Sequence, residues 1–72
     1  MNNKNKIKIN LNGKLMSINP NFPLKALLEK LKIPTNKIAI ELNHEIINKN
    51  RINKISLKQN DKIEIVHFIG GG

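Results

Sequence analysis

The dipeptide Asn12-Gly13, set between two alternating segments, constrains this 72-residue chain more than any other feature. "KIKINL" places Ile7, Ile9 and Leu11 on one face of an extended strand, with polar residues between them. Asn-Gly then supplies the two positive-φ positions that a two-residue hairpin turn needs. Such a turn dictates register: Leu11 faces Lys14, and Lys14, Met16 and Ile18 join the face of Ile7, Ile9 and Leu11. Turn chemistry and patterning agree on an antiparallel hairpin with one buried face.

The buried face needs a cover, and the next segment offers one. "NPNFP" ends the ladder, because Pro20 and Pro23 cannot donate and restrict the residues before them. Pro23 suits the first position of a helix, with Asn21 or the Phe22 backbone near the cap. "PLKALLEKLKI" sets Leu24, Leu27, Leu28 and Leu31 on one stripe, with Lys25 and Glu29 paired on the outer face. Pro34 is expected to end this helix of about ten residues, too short to persist alone, so it must lie on the hairpin.

"KIAIEL" alternates again, burying Ile38, Ile40 and Leu42, and "NHE" turns into a short strand at Ile46-Ile47. "NKNRINKISL" reads as a loop or one helical turn, anchored by Ile52, Ile55 and Leu57. "KQND" is a further turn, with Asn60 best able to adopt a left-handed conformation. In the last strand, "KIEIVHF", Ile63, Ile65 and His67 point one way and Glu64, Val66 and Phe68 the other. Apolar residues on both faces suit a strand in mid-sheet.

Hairpin, helix, strand, short strand and long strand make an α+β chain of β-grasp (ubiquitin-like) type. The expected sheet is mixed, of four to five strands, with one main helix on one face and the last strand parallel to the first. Val66 and Phe68 then sit on the open face beside the C-terminus, or pack under the loop around Ile52 and Ile55. Residues 1–72 form one domain, with a flexible tail at 69–72.

Composition narrows the function. Cysteine is absent and His44 and His67 stand far apart, so neither a disulfide framework nor a metal site is expected. No stretch approaches the roughly 20 apolar residues of a membrane span, and "MNNKNKIKIN" lacks a signal-like apolar run. The formal net charge of +8 comes from lysines scattered between Lys4 and Lys62, beside abundant asparagine and isoleucine. That mixture reads as a lysine-coated surface, and nucleic acid is not the expected partner. His67 reads as a strand-end histidine. No Ser-His-Asp, Cys-His or paired-carboxylate pattern marks an enzyme, so the chain is expected to act without catalysing.

Of four glycines, three close the chain as Gly70, Gly71 and Gly72. With the "NG" hairpin, the "LKALLEKL" helix, "AIELNHEII", "NDKIEIV" and the "IVHFIGGG" terminus, the chain resembles the ThiS family of sulfur carriers of thiamin biosynthesis. Where that family often has turn glycines, His44 and Asn60 stand here. The resemblance implies that a ThiF-like enzyme adenylates the Gly72 carboxylate with ATP, the carrier itself binding no cofactor. A sulfur donor of cysteine desulfurase or rhodanese type then converts it to a thiocarboxylate, which serves a ThiG-like thiazole synthase.

Gly70 and Gly71 would thread a narrow channel, where side chains would collide, and Val66, Phe68 and Ile69 would dock the partner. Alternatives are a molybdopterin or tRNA-thiolation carrier, a protein modifier joined through Gly72, or a basic RNA-binding β-grasp module. The carrier is expected to be monomeric alone, in the cytoplasm or a plastid stroma.

Overall fold

A computed structural model describes residues 5–67. The hairpin forms as the turn requires: β1 (Ile7–Leu11) and β2 (Lys14–Ile18) pair antiparallel with Leu11 opposite Lys14 and Ile9 opposite Met16. Asn12 and Gly13 take φ of 50° and 87°. The Asn10 side chain braces the turn by accepting the Gly13 amide at 2.8 Å. Ile9 and Ile18 are buried, while Leu15 on the opposite face is exposed.

The helix, α1, spans Leu24–Lys30, seven residues instead of about ten. Pro23 is its N-cap, one position earlier than expected, with extended backbone and no side-chain cap. The cap is served from elsewhere in the chain. Leu24 donates its amide to the Ile55 carbonyl at 2.9 Å, and Leu57 donates to the Phe22 carbonyl at 2.8 Å. At the other end the helix stops before Pro34. Lys32 turns left-handed at φ 59°, its amide meets the Glu29 carbonyl at 3.0 Å, and the Ile33 amide meets the Leu28 carbonyl at 2.9 Å. That double bond pattern is a Schellman motif, with lysine where glycine is usual and Ile33 tucked against the core.

After a 3-10 turn at Thr35–Lys37 come β3 (Ile38–Leu42) and β4 (Glu45–Ile47), paired antiparallel with Leu42 opposite Glu45. Asn43 and His44 bridge them, both at positive φ, the same hairpin solution as Asn12-Gly13. The run Lys49–Lys54 is a 3-10 turn that buries Ile52, with Leu57 also buried and Ile55 partly so. β5 (Lys62–His67) completes a five-stranded sheet in the order β2-β1-β5-β3-β4, parallel to β1 and antiparallel to β3. The sheet is mixed and its last strand lies in the middle, as the pattern predicts.

Between helix and sheet lies an aliphatic core. Leu24, Leu27 and Leu28 meet Ile9, Ile40 and Ile63, all nearly or fully buried, and no polar side chain is buried among the described residues. Each such aliphatic side chain contributes roughly 1.5–3 kcal/mol on burial. Among the described residues, no helix is long and apolar enough to cross a membrane.

Candidate functional site

The sheet delivers its central strand to one end of the molecule, and the strand is held on both flanks as it arrives. On one side β3 pairs with β5 along its length, the last pair being Ile38 with His67. On the other side β1 pairs through Asn10–Lys62 and Leu11–Ile63, then turns away. Asn12 takes over where β1 leaves. Its amide donates to the Ile63 carbonyl at 2.9 Å, and its Oδ1 accepts the Ile65 amide at 2.8 Å. A turn side chain thereby adds a rung to the parallel ladder, next to the point where the chain heads for its terminus.

The opposite end of β5 is fastened by a second asparagine. Asn43 donates its amide to the Lys62 carbonyl at 2.7 Å and accepts the Lys62 amide on Oδ1 at 2.8 Å. Its Nδ2 donates to Asp61 Oδ1 at 3.0 Å, while Asp61 Oδ2 accepts the Lys58 amide at 2.8 Å. His44 and Asn60, the two turn positions where glycine is common in the resembling family, both lie at this Lys62 end, at φ 71° each. They are remote from His67, since six strand residues extend about 16 Å or more.

Alternation along β5 sets the character of each face. Ile63 and Ile65 point into the core, and Glu64 and Val66 point to the face without a helix. Val66 is 58% exposed opposite Ala39, which settles its two sequence readings: it lies on the open face, while Ile52 is buried on the helix side. Next to Val66, Glu64 stands directly opposite Glu41, and Glu41 is flanked on its other side by Ile46, 68% exposed. The His67 side chain is exposed at the strand end. Phe68, Ile69 and the three glycines, Gly70, Gly71 and Gly72, lie outside the described residues. Among the described residues, no group of three His, Cys, Asp or Glu side chains could hold a metal ion.

The ThiS family model matches residues 7–72, from the first strand through the last glycine. This chain belongs to the ThiS family. It is 44% identical over 46 residues to the sulfur carrier protein ThiS of Bacillus subtilis, a match covering 64% of this chain and 70% of that protein. The fold agrees as well. The crystal structure of the thiamine biosynthesis protein ThiS from Geobacter metallireducens superimposes with a TM-score of 0.79 at 26% identity, covering 92% of this chain and all of that one.

A third relative sets this ThiS-family chain in a larger context. A thiazole synthase of Paramagnetospirillum magneticum is 36% identical over 66 residues, covering 92% of this chain and 20% of that protein. The chain thus spans about a fifth of the length of the thiazole synthase it matches. A ThiS-like stretch and a thiazole synthase therefore share one polypeptide in that organism.

Sequence reasoning missed the two asparagine carboxamides at the ends of β5 and the opposition of Glu41 and Glu64. Each depends on residues brought together across the sheet. The signal within reach was asparagine itself: four of the six non-glycine residues at positive φ are Asn12, Asn21, Asn43 and Asn60. Much of the asparagine is therefore working turn chemistry rather than compositional bias alone.

Proposed function

We propose that this chain is a sulfur carrier for assembly of the thiamin thiazole, and that the Gly72 carboxylate is the group that carries the sulfur. The carboxylate attacks the α-phosphorus of ATP inside an adenylating enzyme, releasing pyrophosphate and leaving an acyl-adenylate. The terminal sulfur of a donor persulfide then attacks the acyl carbon and displaces AMP. A thiol reduces the resulting acyl disulfide, and the thiocarboxylate passes its sulfur to thiazole synthase. Adenylation is needed because a free carboxylate is a poor acyl donor. Positioning and charge stabilisation fall to the partner enzymes, and the carrier contributes a thin, reactive end.

The observation that carries this reading is the family match running to Gly72, on a fold whose central strand points the terminus outward. Five residues follow His67, and fully extended they span at most about 17 Å, enough to enter a pocket while the domain stays outside. Glycine suits that task, since a Cβ adds width where the channel is narrow. Docking by Val66, Phe68 and Ile69 belongs to the same proposal, as do the adenylating enzyme, the persulfide donor and a cytoplasmic or plastid setting.

The test is intact mass measurement after incubation with ATP, an adenylating enzyme and a persulfide source. A gain equal to sulfur minus oxygen, mapped to the terminal peptide, is the expected result. An unmodified terminus, or an isopeptide adduct on lysine, overturns the proposal.

A further inference from the structure

The open face of the sheet holds an arrangement that folding alone does not favour. Glu41 on β3 and Glu64 on β5 are directly opposed, both half-buried, at the centre of that face. Like charges so placed destabilise an antiparallel pair. The chain has only five acidic residues against 13 basic ones, yet two of the five sit side by side here. No cation answers them: among the described residues the single ion pair is Lys25–Glu29 on α1. Lys62 shares the face two positions before Glu64 and forms no ion pair with it.

Their surroundings are apolar. Ile46 flanks Glu41 from β4, and Val66 with Ala39 forms the next row toward the His67 end. Ile46 and Val66 are both well exposed, whereas Leu15, the other large exposed apolar residue, lies across the sheet on β2. The result is a carboxylate pair framed by aliphatic side chains, on the strand that leads to the terminus.

We propose that Glu41 and Glu64 receive an arginine side chain projecting from an apolar patch of thiazole synthase, with Ile46 and Val66 packing around it. The proposal rests on the carrier reading above and names the contact that orients the carrier on its acceptor enzyme. Opposed strand residues are about 5 Å apart, and a guanidinium has five donors in a planar fork, enough to serve two carboxylates at once. Charge complementarity selects the face. A chain of net charge +8 is repelled by a cationic surface everywhere except where carboxylates concentrate, so this pair fixes the one orientation in which the contact is favourable.

The experiment titrates the full-length carrier against purified thiazole synthase by calorimetry, comparing wild type with the double variant Glu41→Gln/Glu64→Gln. Binding is expected to weaken about tenfold or more, as for loss of a desolvated charge contact. Melting temperature is expected to hold or rise, because the like-charge pair is gone. Conversion of Gly72 to thiocarboxylate by the adenylating enzyme is expected to proceed as in wild type, which separates this proposal from the carrier reading.

Arginine-to-glutamate variants of thiazole synthase, screened against Glu64→Arg carrier, are expected to contain one that restores binding. Equal affinity of wild type and the double Gln variant overturns the proposal, and so does wild-type carrier that is thiocarboxylated yet does not bind the synthase. Loss of wild-type binding on adding EDTA overturns it in favour of a divalent cation between the carboxylates. Sedimentation of the carrier as a dimer that the Gln variant dissolves overturns it in favour of a second copy.

Discussion

Replacing Asn12 by glycine isolates one hydrogen bond near the exit of the central strand. Glycine at this position can keep φ near 50°, and the main-chain bond from residue 12 to the Ile63 carbonyl survives. What disappears is the Oδ1 acceptor 2.8 Å from the Ile65 amide, a part-buried contact. A buried donor left without a partner costs about 1–3 kcal/mol, and partial solvent access puts this one near the lower end. Glycine's greater unfolded-state entropy and its ease at positive φ act in opposite directions and nearly cancel.

The net expectation is a loss of about 1.5 kcal/mol, against roughly 4–11 kcal/mol for a domain of this length. For a small domain that lowers Tm by roughly 6–12 °C. Urea titration gives the free energy, and amide hydrogen exchange locates it: Ile65 should lose protection while Ile9 in β1 follows only the global change. Asn12→Asp, which keeps the acceptor, should stay within about 0.5 kcal/mol of wild type. A glycine variant as stable as wild type, with Ile65 protection unchanged, would refute the idea that this side chain closes the ladder.

Three further outcomes are expected. His44→Gly and Lys32→Gly relieve left-handed backbone at φ 71° and 59°, so each should stabilise the protein by about 0.5–1 kcal/mol in urea titration. Leu27→Ala removes a fully buried side chain between helix and sheet and should cost about 2–5 kcal/mol, enough to leave much of the protein unfolded at 37 °C by circular dichroism. One residue added after Gly72 should leave Tm unchanged and abolish thiocarboxylate formation by mass spectrometry.

The hairpin was legible because two independent signals, Asn12-Gly13 and the alternation on either side, encode the same register. The mid-sheet place of β5 was legible for a similar reason: apolar residues on both faces are consistent with a strand that has neighbours on both sides. The helix ends were not. Lysine at position 32 carries no stop signal, and its left-handed turn comes from the Schellman bonds and the burial of Ile33, so Pro34 took credit for a stop made earlier. Pro23 was misplaced by one residue because its helix is capped by Ile55 and Leu57, which come some 30 residues later. The exposed position of Val66 followed from strand alternation. The pairing of Glu41 with Glu64 did not, since it requires the register between two strands separated by a turn, a short strand and a 3-10 segment.

The parallel run of β1 and β5 at the middle of the sheet has a mechanical consequence. Tension between the start of β1 and the end of β5 acts along both strands, so their cross-strand bonds, the Asn12 rung included, are sheared together rather than unzipped one at a time. A partner can therefore tug on the tail, seat it and withdraw it, and the load is shared across the fold.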